Sequence, residues 1–375
     1  MRWDGMRIDE GTGPPAAAGP AAAGVAPALF ERSAVARSFD TPGFRGMTFF
    51  EVHAKSIINR VPEASRLPFR WTINPYRGCS HACRYCFARN THTYLDLDAG
   101  HDFDSKIVVK VNAPQLVRKE LTARKWPGEH IAMGTNVDCY QRAEGRYRLM
   151  PGILQALVDA RNPFSILTKG TMILRDLDLL EQAAEVTDVG LSVSVGCADE
   201  ELWRTLESGT PSPQRRLGVC AALTARGLPC GVLMGPVVPF LSDSPAQLDA
   251  TVRQAVQAGA SQLSPIVLHL RPGAREWFLA WLEEHHPSLV PRYRRLYGTG
   301  AYTPKAYQRQ ITEQVRALAE QHGLSRNRPE RRAWRSRPVT GPGPSPVTGR
   351  GRPGGPGAAG DGPGGTVEPV QLSLL

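Results

Sequence analysis

The chain has 375 residues and a formal net charge of +10, and its 37 Gly and 32 Pro are concentrated towards the two ends. No apolar run approaches the roughly 20 residues of a membrane span, and Asp4, Asp9 and Glu10 stand where a signal peptide would be basic or apolar. A cytoplasmic protein with no membrane partner is therefore expected, in which seven Cys serve metal or redox chemistry rather than disulfides.

Residues 1–44 read as a disordered tail, because residues 11–29 are almost entirely Ala, Gly and Pro and cannot bury enough apolar surface to offset their ordering entropy. Residues 45–325 read as one folded domain, long enough for a sizeable core. Within it, strands are expected at Trp71–Tyr76, His130–Gly134, Phe164–Thr168, Val189–Val195, Cys230–Gly235 and Gln262–His269, short and rich in β-branched residues as buried parallel strands are. Helices are expected between them at Asn112–Lys125, with Asn112 as cap, then Leu149–Arg161, Asp176–Val186, Pro213–Arg226 and Pro245–Ala258. Gly227 and Gly259 stand where a helix end wants a left-handed residue. Six βα units in succession predict an α/β fold with a partial (β/α)6 parallel barrel. Helical stretches at Arg275–Tyr297 and Lys305–Gly323 extend it.

Beyond the domain, residues 326–337 hold six Arg and one Glu, a basic segment suited to a polyanion such as nucleic acid or to a solvated linker. Residues 338–370 read as a disordered Gly/Pro-rich linker. The chain ends Gln371-Leu372-Ser373-Leu374-Leu375.

In a parallel α/β fold the ligand sits beyond the carboxyl ends of the strands. The residues there are Gly78-Cys79, then Gly134-Thr135-Asn136-Val137-Asp138-Cys139, Lys169, Ser192 or Ser194, Pro236, and His269 with Arg271. The strongest signal is Cys79-Ser80-His81-Ala82-Cys83-Arg84-Tyr85-Cys86. Three thiolates in one loop can hold three irons of a 4Fe–4S cluster and leave the fourth open for chemistry. The competing reading is a zinc site completed by His81 or a distant Cys, but zinc ligands usually come as separated pairs, and no second CX2C pair exists here.

The CX3CX2C spacing, with Tyr85 before the last Cys, resembles the radical S-adenosylmethionine (SAM) superfamily. Asn74-Pro75-Tyr76-Arg77-Gly78-Cys79, Tyr85-Cys86-Phe87-Ala88-Arg89, Thr168-Lys169 with Arg175-Asp176, Asp138-Cys139-Tyr140-Gln141 and Leu268-His269-Leu270-Arg271-Pro272-Gly273 resemble its branch related to spore photoproduct lyase, often labelled DNA repair photolyase-like. The resemblance implies that Cys79, Cys83 and Cys86 ligate a 4Fe–4S cluster. SAM would chelate the fourth iron and, with an electron from an external reductant, be cleaved to methionine and a 5′-deoxyadenosyl radical. Gly134, Thr135 and Asn136 would hold the SAM amino group, Lys169 its carboxylate, Ser192 or Ser194 the ribose, and Tyr85 would lie near the adenine. Cys139 stands where related sequences commonly have Pro; it is either a hydrogen-atom donor to a substrate radical or inert packing.

The implied function is radical chemistry on nucleic acid in a DNA-repair-like role, with DNA as partner. The alternatives are the same chemistry on a peptide or small molecule, and a non-catalytic iron–sulfur binding protein. Gln371–Leu375 resembles the peptide by which proteins bind the bacterial sliding clamp, with Leu375 in place of a final Phe.

Overall fold

The computed structural model describes residues 34–324 apart from Ala64 and Arg66. The expectations for 326–337, 338–370 and Gln371–Leu375 lie outside the described residues. Strands β1 (Val35–Ser38), β2 (Thr48–Val52), β3 (Ile58–Arg60), β4 (Trp71–Ile73), β5 (Tyr76–Arg77), β6 (Lys106–Lys110), β7 (Ile131–Met133), β8 (Phe164–Thr168), β9 (Val189–Ser194), β10 (Cys230–Val237) and β11 (Gln262–Val267) form two sheets. The larger runs β11-β10-β9-β8-β7-β4-β3. Every pair in it is parallel except β3 with β4. Its six parallel strands are the six expected from the sequence.

The helices are α1 (His101–Ser105), α2 (Ala113–Leu121), α3 (Arg142–Tyr147), α4 (Leu149–Asp159), α5 (Leu177–Val186), α6 (Glu200–Leu206), α7 (Pro213–Ala225), α8 (Pro245–Gln257), α9 (Ala274–His285), α10 (Val290–Tyr297) and α11 (Lys305–Gln321). Local chemistry sets several starts. Ser212 and Ser244 accept hydrogen bonds from the Arg215 and Gln247 amides, each with Pro at the next position, and Asp199 caps α6. Gly227 and Gly259 take φ of +76° and +77° past the ends of α7 and α8, as expected. Helix α11 lies over β11 and α8, and Ile311, Val315 and Ala319, four residues apart, form its buried stripe. Burying Ile311 and Val315 contributes roughly 1.5–3 kcal/mol each.

Several expectations are corrected. The first strand stops at Ile73 because Asn74-Pro75 interrupts it, and proline has no N–H for a ladder. Tyr76–Arg77 then joins the smaller sheet, order β1-β2-β6-β5, which the sequence reading lacks altogether. Asn112 does not cap α2: its side chain bonds both the N–H and the C=O of Ala54 at 2.9 Å, tying the two segments together. The stretch 275–297 is two helices, broken at Pro287. The disordered segment set at 1–44 is too long. Val35–Ser38 pairs with β2, Arg37 with Glu51 at 2.8 Å, and Phe39 with the rings of Phe44, Phe49 and Tyr147.

Candidate functional site

The cysteine loop begins where Gly78 turns with φ +81°; a Cβ there would meet the Lys106 carbonyl at 2.8 Å. The loop is then held from several directions. Gln141, fully buried, donates through Nε2 to the Gly78 carbonyl and accepts from the Ser80 amide, both at 2.9 Å. The Arg142 amide donates to Ser80 Oγ. The Arg89 guanidinium, also fully buried, donates to the Cys83 carbonyl at 2.9 and 3.1 Å, to Ala99 and Gly100 carbonyls, and to Asp104. Gly209 lies so close that a Cβ would stand 2.3 Å from the Ser80 carbonyl. A loop fixed this way presents its thiols in one arrangement instead of an ensemble.

Burial raises all three thiol pKa values, Cys83 to about 12, against the pull of the nearby Lys169 on Cys83 and Cys86. Ligation by these thiols therefore releases protons. Among the described residues no three His, Cys, Asp or Glu side chains converge as ligands of a single metal ion. Separated thiolates around a loop suit a polynuclear iron–sulfur cluster, in which each binds a different iron.

Beside the loop, β7, β8 and β9 end together. Lys169 Nζ donates to Ser194 Oγ at 2.8 Å, lies 5.8 Å from the centre of the Tyr85 ring, and among the described residues has no hydrogen-bonded carboxylate. Ser194 Oγ donates in turn to the Gly235 carbonyl. Ser192 lies two residues earlier on β9, opposite Gly231. The Tyr85 hydroxyl bonds Glu207, whose carboxylate takes the Arg216 guanidinium at 2.5 Å. Arg216 also donates to the Ser194 carbonyl at 2.7 Å. Burial would raise Glu207, but Arg216 and Lys169 outweigh it and keep the carboxyl below its ordinary value. Gly134 has φ +76°, and a Cβ there would lie 1.8 Å from the Leu167 carbonyl, so only glycine lets β7 and β8 approach this closely. Thr135 and Asn136 follow, half-buried, and the Asn136 Oδ1 is buried without a hydrogen-bond partner. A cation without a bonded carboxylate and an unsatisfied acceptor at neighbouring strand ends suit the carboxylate and ammonium of an α-amino acid.

Cys139 is fully buried in the main core between Asp138 and Tyr140, and the Tyr140 hydroxyl bonds Asp176. Cys197, Cys220 and Cys230 are buried as well. Asp138 joins loop to strand. It accepts from the Tyr140 and Lys169 amides and the Thr168 hydroxyl at 2.6–2.8 Å, with His81 Nδ1 at 3.4 Å. Burial pushes its carboxyl up, but His81 and these donors overrule it and hold it at about 2. That lies below the unfolded value near 4, so the ionised form stabilises the fold by roughly 2 kcal/mol above about pH 4. This contribution is lost as pH falls from about 4 to about 2. Asp138→Asn is expected to remove that part of the acid limb in urea unfolding, and an acid limb identical to wild type would contradict the assignment.

Sequence reasoning gave no role to Gln141 or Arg89 and missed Glu207 and Arg216. The available signal was Arg216 itself, a charge on the buried face of α7 beside Pro213, Leu217 and Cys220.

Residues 73–250 match the model of the Radical SAM superfamily. Uncharacterized proteins of Mycobacterium bovis and Mycobacterium tuberculosis are each 50% identical over 332 residues, covering 87% of this chain and 94% of the relative. An uncharacterized protein of Methanocaldococcus jannaschii is 30% identical over 195 residues, 52% of this chain and 69% of the relative. The fold resembles that of spore photoproduct lyase complexed with dinucleoside spore photoproduct, with a TM-score of 0.54 at 15% identity over 73% of this chain and 79% of that one.

Proposed function

Because this chain belongs to the radical SAM superfamily, whose cofactors are a 4Fe–4S cluster and SAM, we propose that it generates a substrate radical at the carboxyl ends of β7–β9 and acts on nucleic acid in a DNA-repair-like role. When bound and reduced by an external electron donor, the cluster supplies an electron that cleaves SAM to methionine and a 5′-deoxyadenosyl radical. The observation that carries the reading is the rigid loop of three separated thiols with Lys169 beside it. Cys79, Cys83 and Cys86 would hold the cluster.

The chain's own residues do the positioning. Lys169 pairs with the methionyl carboxylate, and Asn136 Oδ1 accepts from its ammonium, which removes an unsatisfied buried acceptor. Gly134 lets the backbone of this turn lie against Leu167, and Thr135 lines the turn. Ser194, held by Lys169 and Gly235, would offer its hydroxyl to the ribose, with Ser192 on the same strand as the alternative. Tyr85, locked by Glu207, offers its ring as one wall for the adenine. A nucleic-acid substrate is supported by the likeness of fold to spore photoproduct lyase and by the basic segment 326–337. Gln371–Leu375 would tether the enzyme to a sliding clamp, a reading that rests on sequence resemblance alone. The hydrogen donor proposed for Cys139 requires access that its present burial does not provide.

Lys169→Ala is expected to weaken SAM binding about ten- to hundredfold, the cost of a charge-assisted contact, with iron content unchanged. An anaerobic SAM titration measures it. Equal affinity in the variant would remove Lys169 from the site.

A further inference from the structure

Beyond the last parallel strand, three side chains meet at the mouth of the sheet and have no part in the cofactor site. The Arg271 guanidinium lies 5.6 Å above the ring of Phe87, the residue immediately after Cys86. It donates to the Tyr302 hydroxyl at 3.0 Å, and among the described residues no carboxylate pairs with it. Its neighbours are already engaged: Arg275 is used by the Gly298 and Gly300 carbonyls, and Arg84 and Arg89 lie over Trp277. Tyr302 is 47% exposed, yet its ring is braced at 4.6 Å by His269. Burial and the charge of Arg271 lower the His269 pKa, which favours the neutral imidazole. Among the described residues its ring nitrogens have no hydrogen-bond partner.

An uncompensated guanidinium packed over Phe87, the residue after Cys86, a braced and exposed aromatic face and an unpartnered imidazole form a complementary set. The guanidinium keeps most of its N–H donors free for two oxygens of one anion. The ring offers a stacking face that any base can use. We infer that Arg271, Tyr302 and His269 form the substrate contact of this enzyme, Arg271 taking a backbone phosphate of a DNA strand, Tyr302 stacking on the adjacent base and His269 bonding that base or its sugar. This rests on the nucleic-acid reading above and adds to it the residues that hold the strand beside the radical source. Recognition of one phosphate and one base at this spot would bring the neighbouring nucleotide over the cysteine loop.

The experiment is fluorescence anisotropy of a short labelled DNA oligonucleotide, single-stranded and duplex, against the full chain over a series of salt concentrations. Arg271→Gln is expected to weaken binding about tenfold or more and to lower the salt slope by about one phosphate contact. Tyr302→Leu is expected to weaken it with the slope unchanged. SAM affinity and thermal melting of each variant report whether the fold is intact. A measurement on the unaltered chain stands beside them: bound DNA should protect Arg271 from an arginine-specific dicarbonyl reagent. Wild-type DNA binding with no effect of Arg271→Gln and no protection overturns this contact and leaves the nucleic-acid reading standing. No DNA binding by the wild type defeats both. Binding that falls in Arg271→Gln with its slope flattened, together with protection, supports the contact.

Discussion

Replacing Cys79, Cys83 and Cys86 together by Ala is expected to abolish iron–sulfur content and SAM cleavage while the chain stays folded. The loop is held by Gln141, Arg89 and the Gly209 contact, none of which uses a thiol, so removing three sulfurs leaves those bonds in place. What is lost is the whole ligand set proposed for the cluster, and among the described residues no three His, Cys, Asp or Glu side chains converge on a metal ion to take its place. Cys139, Cys197, Cys220 and Cys230 are buried elsewhere in the core. The check is iron and sulfide analysis after anaerobic reconstitution, with circular dichroism for the fold. Wild type should take up about four irons per chain and the variant close to none; a variant that retained the wild-type amount would remove the loop from the account.

Arg216→Met is expected to destabilise the protein by about 3–5 kcal/mol, because it leaves the Glu207 carboxylate buried without its partner. The melting temperature should fall by roughly 6–20 °C. Glu207, no longer anchored by Arg216, holds the Tyr85 hydroxyl less firmly, so SAM affinity is expected to fall as well. The double variant Arg216→Met with Glu207→Gln is expected to recover much of the stability and little of the SAM affinity, which separates the cost of a buried charge from the loss of positioning. Urea unfolding and a SAM titration on the three proteins measure both. A single-variant loss under about 1 kcal/mol would mean that water reaches the pair, as at a surface ion pair.

What was legible in the sequence was what local chemistry decides. Phe164–Thr168 is a strand with the expected bounds, because a β-branched and aromatic run sits between Pro163 and Gly170. Gly227 and Gly259 follow helix ends because glycine takes the left-handed backbone there without steric cost. The cysteine loop was legible for the same reason: its three thiols lie within eight residues of continuous chain. The smaller sheet was not, because β2 pairs with β6 across more than fifty residues of intervening chain, and neither strand carries a signal that names its partner. Arg216 and Glu207 fail for a related reason. An arginine on a helix and a glutamate after one are ordinary surface residues until tertiary packing buries them together against Tyr85. Asn112 shows the opposite error, a good cap by type that a distant backbone segment recruited instead.

Reductive cleavage of SAM at this loop is what the proposed function requires. The most direct measurement is quantification of methionine and 5′-deoxyadenosine by anaerobic chromatography after the reconstituted protein is mixed with SAM and dithionite, with and without DNA carrying defined lesions. The wild type is expected to release 5′-deoxyadenosine, the triple cysteine variant none, and the yield or the consumption of SAM is expected to change when the substrate DNA is present. A wild-type protein that carries its full cluster, binds SAM and releases no 5′-deoxyadenosine on reduction under any of these conditions would contradict the proposed function.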